Sequence, residues 1–364
     1  MRAAVLHESP GDLVIDDLTV AKPVGREVLV RTAHAGLCHS DLHFMEGLWP
    51  HPMPVVMGHE SAGVVEAVGD QVTEFSPGDH VISCLSVFCG TCHMCLRGKP
   101  YLCANQNTLN RAPDQTPRLS TAGGEFVHQG MRLGGFAEEM LVHENALVKV
   151  REDMPLDRAA LIGCGVTTGV GAVIRTAQVE PGATVAVVGC GGIGLSAVQG
   201  GRLAGASRVI AIDISDQKLQ VARTMGATDT VNAADTDAVA EVIEMTKGGV
   251  DYSFEAIGRA ETVEQAFAML APTGMAVAIG MVPLGQKVSV PAHELLSEKK
   301  LTGSRMGSNV FRVDMPYYVD LYLDGRLLLD EMISGTIRLD QINEGYEWLK
   351  KGEATRTAID FSLS

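Results

Sequence analysis

The stretch that most constrains this chain is Thr184-Val-Ala-Val-Val-Gly189-Cys-Gly191-Gly-Ile-Gly194, a buried-strand pattern running directly into G-x-G-x-x-G. Residues 195–204 then read as a helix, and a second strand, 208–213, closes on Asp213, nineteen residues after Gly194. The alternation continues with helix 217–225, strand 230–232, helix 238–247, strand 250–255, helix 262–270 and strand 275–280. Strands separated by helices cannot pair as hairpins, so the segment 166–304 is predicted to be an α/β unit with a doubly wound parallel sheet covered on both faces. Gly189, Gly191, Gly192 and Gly194 let the backbone turn tightly and approach a pyrophosphate, which then rests on the helix N-terminus. Asp213 stands where it would accept hydrogen bonds from ribose hydroxyls and repel a 2′-phosphate, which favours NAD over NADP. Cys190, between the glycines, reads as a small packing residue.

The part before this unit has a different texture. Segments 27–32, 61–68 and 78–83 are short, rich in β-branched residues and bounded by Gly, Pro and Asp, which predicts a compact β-rich domain over 1–165. The tail 305–364, with helix-like 315–324 and 339–350 and a strand pattern at 357–361, is expected to rejoin that domain. Within 1–165 lies the run Cys38-His39-Ser40-Asp41, with His43 just beyond and Gly58-His59-Glu60 further on. A thiol and an imidazole accompanied by a hydroxyl, a carboxylate and a second imidazole are the equipment of a metal site that moves protons. The run is expected where a strand ends and a turn begins. Cys164 follows a helix-like lead, and its weight comes from completing the set.

Cys89, Cys92, Cys95 and Cys103 form C-x2-C-x2-C-x7-C. Four thiolates this close can wrap one tetrahedral zinc with no open position, which makes a structural site. Cys84 is out of step with the array and reads as a small buried thiol. Residues 105–131, with Pro113, Pro117 and Gly123-Gly124, read as a long polar loop, either functional, a partner contact or a tolerated insertion.

At 364 residues two domains are the default. A formal charge of −15 disfavours nucleic acid and anionic membrane surfaces as partners. The start Met-Arg-Ala-Ala-Val lacks a secretory pattern, and apolar runs are broken by glycine, so a cytoplasmic protein is expected, with eight cysteines used for metal or core rather than disulfides.

These motifs in this order resemble the zinc-dependent medium-chain alcohol dehydrogenases along essentially the whole chain, most closely the long-loop branch that includes animal and plant alcohol dehydrogenases and glutathione-dependent formaldehyde dehydrogenase. The resemblance implies a GroES-like β-barrel catalytic domain and a Rossmann coenzyme domain. It implies that Cys38, His59 and Cys164 hold a catalytic zinc, with Glu60 a nearby carboxylate and Asp41 the acid that orients the ligating histidine. Thr168 and Ile193 match positions at the nicotinamide ring, and Ile257, Gly258, Ile279 and Met281 the neighbouring cofactor wall. His39 and Arg356 match pyrophosphate contacts, and Lys218 a residue near the adenosine ribose. Three protein ligands leave one zinc position for an alcohol oxygen, and Ser40 would take the hydroxyl proton and pass it by the nicotinamide ribose to His43. Trp49 falls where the formaldehyde branch carries an acid and Leu85 lines the alcohol pocket in relatives. The expectation is therefore a zinc- and NAD-dependent dehydrogenase of primary aliphatic or aromatic alcohols, with two zincs per chain. Glutathione-dependent formaldehyde oxidation and sorbitol-type polyol oxidation are the alternatives, and a non-enzymatic zinc and nucleotide module is disfavoured. A homodimer is implied, with a tetramer left open.

Overall fold

In a computed structural model of the chain, residues 1–112, 114–352 and 355–363 are described; Pro113 of the polar loop lies outside them. Two units form, Met1–Cys164 with Val310–Ser364, and Gly165–Asn309. The second boundary falls five residues later than the expected 304/305, for a local reason. Thr176 Oγ1 lies 2.7 Å from Ser304 Oγ and 2.8 Å from Ser308 Oγ. Gly307, at φ +65°, packs so closely that a Cβ there would sit 2.2 Å from the Thr167 carbonyl oxygen. These contacts keep 305–309 with the second unit.

The first unit is built on the strand Glu27–Gly36, whose Val28, Val30 and Ala35 are wholly buried. Ser61–Val68 pairs antiparallel along one edge. The other edge is shared, by Glu139–His143 over Glu27 to Arg31 and by Thr357–Asp360 over His34 to Gly36. The C-terminal strand thus returns to the first unit, as its pattern predicted. A five-stranded sheet runs in the order Leu119–Thr121, Leu13–Val20, Arg2–Leu6, Val55–Val56, His128–Gln129. The helix Ile342–Lys351 buries Tyr346 and Leu349 in a cluster with Leu37, Leu42, Met57 and Phe136.

The 105–131 segment has more structure than its composition suggested, with a 3-10 turn Gln106–Leu109 and the short strands Leu119–Thr121 and His128–Gln129. Charge holds it down. Glu27, 4% exposed, accepts Arg111 Nε at 2.9 Å, Arg111 Nη2 at 2.5 Å and Arg118 Nε at 2.7 Å.

The second unit has six parallel strands in the order Asp229–Asn232, Arg208–Asp213, Thr184–Val188, Val250–Glu255, Leu270–Ala278, Lys300–Gly303. The order reverses beside Thr184–Val188, the arrangement of a dinucleotide-binding fold. The first helix, Gly192–Leu203, starts three residues before the expected 195, inside the glycine motif. Gly191 is its N-cap and the Gly191 carbonyl accepts Leu195 N at 2.8 Å. The helix expected to run to 270 stops at Ala268, because Leu270 already pairs with Val250 in the sheet. Leu156–Ala177 is apolar and long enough to cross a membrane, but 83% of its apolar window is buried inside the protein, as in a core helix.

Candidate active site

Cys38 does not lead into a turn, as expected, but into a helix. Its extended backbone caps His39–Met45, and its carbonyl accepts Asp41 N at 3.1 Å and Leu42 N at 3.4 Å. Ser40 and His43 therefore share one helix face, three residues apart, while Asp41 points into the core, wholly buried. His59 follows Gly58, at φ +91°, where a Cβ would lie 2.6 Å from Phe136 N. That close approach requires glycine. Cys164 comes from a π-helical turn, Ile162–Val166, an irregularity frequent at functional sites.

These pieces bring the side-chain ligand atoms of Cys38, His59 and Cys164 within 4.8 Å of one another, all buried. Asp41 orients the ring: His59 Nδ1 lies 3.2 Å from Oδ1 and 3.0 Å from Oδ2, and Gly58 N donates to Oδ1 at 3.1 Å. Nδ1 therefore carries the proton, leaving the Nε2 lone pair for a metal. Nε2 is buried with no hydrogen-bond partner among the described residues. Two sulfurs and one imidazole nitrogen suit zinc, and three such donors leave a coordination position open. The electrostatics agree. A hydrogen bond from Cys164 holds Cys38 well below the ordinary thiol range, against burial and with help from His59 and Arg356. Cys164 is pushed well above that range by the same contact and by burial. Burial opposes charge on His59, but Asp41 and Cys38 hold the ring well above its usual value. A bound cation would displace protons from Cys164 and His59.

Glu60 is wholly buried beside the set, and Arg356 Nη1 lies 3.0 Å from its Oε2 and 3.3 Å from the Leu37 carbonyl oxygen. The guanidinium expected at a pyrophosphate is thus 5% exposed and directed inward, because a buried carboxylate needs a counter-charge. Room for Glu60 comes from Gly36, where a Cβ would lie 2.4 Å from Oε2. His39 is exposed at the start of the helix. Ser40 Oγ lies 3.6 Å from Cys38 Sγ, and the half-buried His43 has an unpartnered Nδ1 among the described residues. The His43 carbonyl accepts Leu48 N at 2.9 Å and Trp49 N at 3.4 Å, which ties the backbone of the half-buried Trp49 to His43. Leu85 packs against the cluster of Val87, Phe75 and Leu147.

Cys89, Cys92, Cys95 and Cys103 form the second group, with sulfurs 3.5 Å apart between Cys92 and Cys95 and 3.9 Å between Cys92 and Cys103. Cys89 Sγ accepts Thr91 N at 3.4 Å and Cys92 N at 3.3 Å, donors that stabilise a thiolate. The Cys95 backbone N–H brings Cys92 down to about 6. Cys84 and Cys190 lie outside both groups, each pushed up to about 12 by burial, as inert core thiols are.

In the second unit, Gly189 has φ +94° and a Cβ there would meet Ile257 Cγ1 at 2.5 Å; on Gly194 it would meet the Gly189 carbonyl oxygen at 1.7 Å. A Cβ on Gly191 would meet nothing within 4 Å, which leaves open space above the helix start. Asp213 accepts Cys190 N at 2.8 Å on Oδ2 and Ser215 N at 3.1 Å on Oδ1. Lys218 is half-buried in the first turn of the following helix. Gly169 packs on Ile193, which puts Thr168 beside the glycine loop, its Oγ1 donating to Met306 Sδ at 3.4 Å. Gly258, φ +93°, lies against the Met281 backbone, with Ile279 8% and Ile257 46% exposed. Sequence reasoning missed Glu255, the wholly buried acid two residues before Ile257, although an acid closing an apolar strand was the signal used for Asp213.

Residues 25–152 match the alcohol dehydrogenase GroES-like domain and 192–323 the zinc-binding dehydrogenase domain. S-(hydroxymethyl)glutathione dehydrogenase of Saccharomyces cerevisiae is 38% identical over 98% of this chain and 95% of its own. The chain belongs to the zinc-dependent alcohol dehydrogenase family. Among solved members, an alcohol dehydrogenase zinc-binding domain protein from Burkholderia ambifaria is 35% identical with a TM-score of 0.94, covering 99% of this chain and 98% of that one. Benzyl alcohol dehydrogenase from Acinetobacter calcoaceticus is 32% identical with a TM-score of 0.93 over the same shares. A chain from Sinorhizobium meliloti 1021, solved with NADP, is 28% identical with a TM-score of 0.82, covering 99% and 98%. In zinc dehydrogenase terms, the first unit is the GroES-like domain and the second the Rossmann domain.

Proposed function

We propose that this oxidoreductase interconverts a primary alcohol, aliphatic or aromatic, and its aldehyde, using zinc and NAD. The observation that carries the reading is the buried donor set of Cys38, His59 and Cys164, one ligand short of a closed tetrahedral site, with Ser40 and His43 on the helix that Cys38 caps. Bound zinc would supply a Lewis acid that makes an alcohol proton easy to lose. Bound NAD would supply the hydride acceptor. Asp41 keeps the His59 proton on Nδ1 so that Nε2 can ligate. Ser40 Oγ accepts the substrate hydroxyl proton as it releases its own toward His43, which passes a proton outward. The N–H groups at Gly192 to Gly194 bind the pyrophosphate. Each Asp213 oxygen accepts one backbone N–H and keeps a lone pair for a ribose hydroxyl. The NADP-bound relative keeps that cofactor as the alternative.

A second substrate reading has its own support. The yeast relative is an S-(hydroxymethyl)glutathione dehydrogenase, which supports a glutathione adduct as substrate. Trp49 argues for the apolar alcohol. The test is NADH absorbance across benzyl alcohol, aliphatic alcohols, polyols, and formaldehyde with and without glutathione. Turnover of benzyl or medium-chain alcohols supports the proposal; activity confined to formaldehyde plus glutathione, or to polyols, overturns it.

The edge strand Lys300–Gly303 is exposed at every residue, and Leu295 and Leu296 beside it are 49% and 88% exposed. An open apolar edge invites pairing with a second copy, which supports a homodimer. Light scattering that gives the mass of a single chain at micromolar concentration would contradict it.

A further inference from the structure

Glu255 ends the strand Val250–Glu255 and is 0% exposed, so it touches no ligand itself. Its Oε1 accepts Ile257 N at 2.9 Å, Gly258 N at 2.7 Å and Thr262 Oγ1 at 2.8 Å. Its main-chain carbonyl oxygen accepts Ile279 N at 2.8 Å and Gly280 N at 3.1 Å. One residue therefore gathers two separate segments, 256–258 and 279–281. Those segments interlock further. A Cβ on Gly280 would meet Gly258 N at 2.1 Å, and one on Gly258 would meet Met281 N at 2.9 Å. Ala256 N donates to the Val188 carbonyl at 2.9 Å, and the Ile257 side chain stands over Gly189, so the assembly is also registered against the glycine loop.

We infer that Glu255 is the positioning residue for the wall that receives the nicotinamide end of the dinucleotide. This rests on the NAD reading above. A neutral cap would suffice to close a turn. An ionised acceptor holds N–H groups more tightly, as a surface that must not shift requires. The arrangement also has a cost, since Oε2 is buried with no hydrogen-bond partner among the described residues. Glu255 acts at a distance from the adenosine end, which belongs to Asp213 on another strand. Its loss should therefore disturb one end of the cofactor site and spare the other.

The test compares NADH with adenosine monophosphate, which reports only the adenosine end, in the wild type, Glu255→Gln and Thr262→Val. Glu255→Gln keeps the shape and removes the charge; Thr262→Val removes one donor to Oε1 and guards against a variant that does not fold. NADH dissociation constants come from its fluorescence, and those for adenosine monophosphate from competition. The expected result is NADH weakened about tenfold in Glu255→Gln and by a smaller factor in Thr262→Val, with adenosine monophosphate unchanged within about twofold. Unchanged NADH affinity in both variants, or equal loss of both ligands, overturns the inference. A wild-type chain that binds adenosine monophosphate but neither NADH nor NADPH overturns the cofactor reading and the inference with it.

Discussion

Replacing Asp41 by Asn tests the metal site through a single proton. The two side chains have the same shape, and Asp41 is wholly buried, so the fold has little reason to change. What changes is the donor pattern. Gly58 N donates to Oδ1 at 3.1 Å, and this bond fixes the amide oxygen at that position. The amide NH2 then occupies the Oδ2 position, 3.0 Å from His59 Nδ1 in the wild type. An NH2 there opposes a protonated Nδ1 and favours the ring proton on Nε2, the nitrogen needed as a ligand; only the amide oxygen, 3.2 Å from Nδ1, still supports the productive tautomer. Restoring the productive tautomer sets N–H against N–H in a buried site. Loss of such an orienting partner lowers metal affinity about 10- to 100-fold, or about 1.4 to 2.7 kcal/mol. The assay is competition with a chromophoric chelator on the native enzyme, with the cysteine-only site as internal reference. The variant should release its more labile zinc at about 10- to 100-fold lower chelator concentration and keep the other. Equal affinity for both zincs in wild type and variant would refute the tautomer argument.

The Glu27 clamp predicts that Glu27→Gln destabilises the first unit by about 3 kcal/mol, the low end for breaking a buried ion pair, since Arg111 and Arg118 retain carbonyl acceptors. Calorimetry reads this as a lower Tm, and limited proteolysis should cut first within 105–131. Burial would raise the Glu27 pKa, but Arg111 and Arg118 hold it below the ordinary value. Its stabilisation is therefore complete above the unfolded value of about 4.3 and lost as pH falls through the lower folded one, so the Tm gap should close in acid. Asp213→Ser should raise kcat/KM with NADP relative to NAD by at least about tenfold, read from initial rates, because it removes the charge that repels a 2′-phosphate. Cys103→Ser should lower zinc by one equivalent and cost several degrees of Tm, measured by elemental analysis and calorimetry.

Much of this was legible because chemistry-bearing residues lie close in sequence. The four-cysteine array and the glycine loop announce themselves by spacing, and alternation of strand and helix dictated the parallel sheet. Cys38 and His59 read as one metal site from the residues beside them, whereas Cys164, far along the chain, was joined to them as a ligand by the resemblance before the fold did so. What escaped were effects of packing between distant segments. The inward turn of Arg356 depends on Glu60 lying against Gly36, and the anchoring of 105–131 depends on an acid at the start of a remote strand. The helix after Cys38 was hidden because His39-Ser40-Asp41 looks like a turn, whereas Leu42 and Met45 bury its other face. Glu255 was passed over because its partners other than the Thr262 hydroxyl are backbone N–H groups, which carry no residue-type signal.

The metal content of the wild type and of Cys164→Ser, measured with turnover on benzyl alcohol and NAD, tests the metal site most directly. Two zincs per chain are expected in the wild type and one in the variant, which should fold with its four-cysteine site filled and show no turnover. A variant that keeps both zincs and its activity would contradict the assignment of Cys38, His59 and Cys164 as the catalytic metal site.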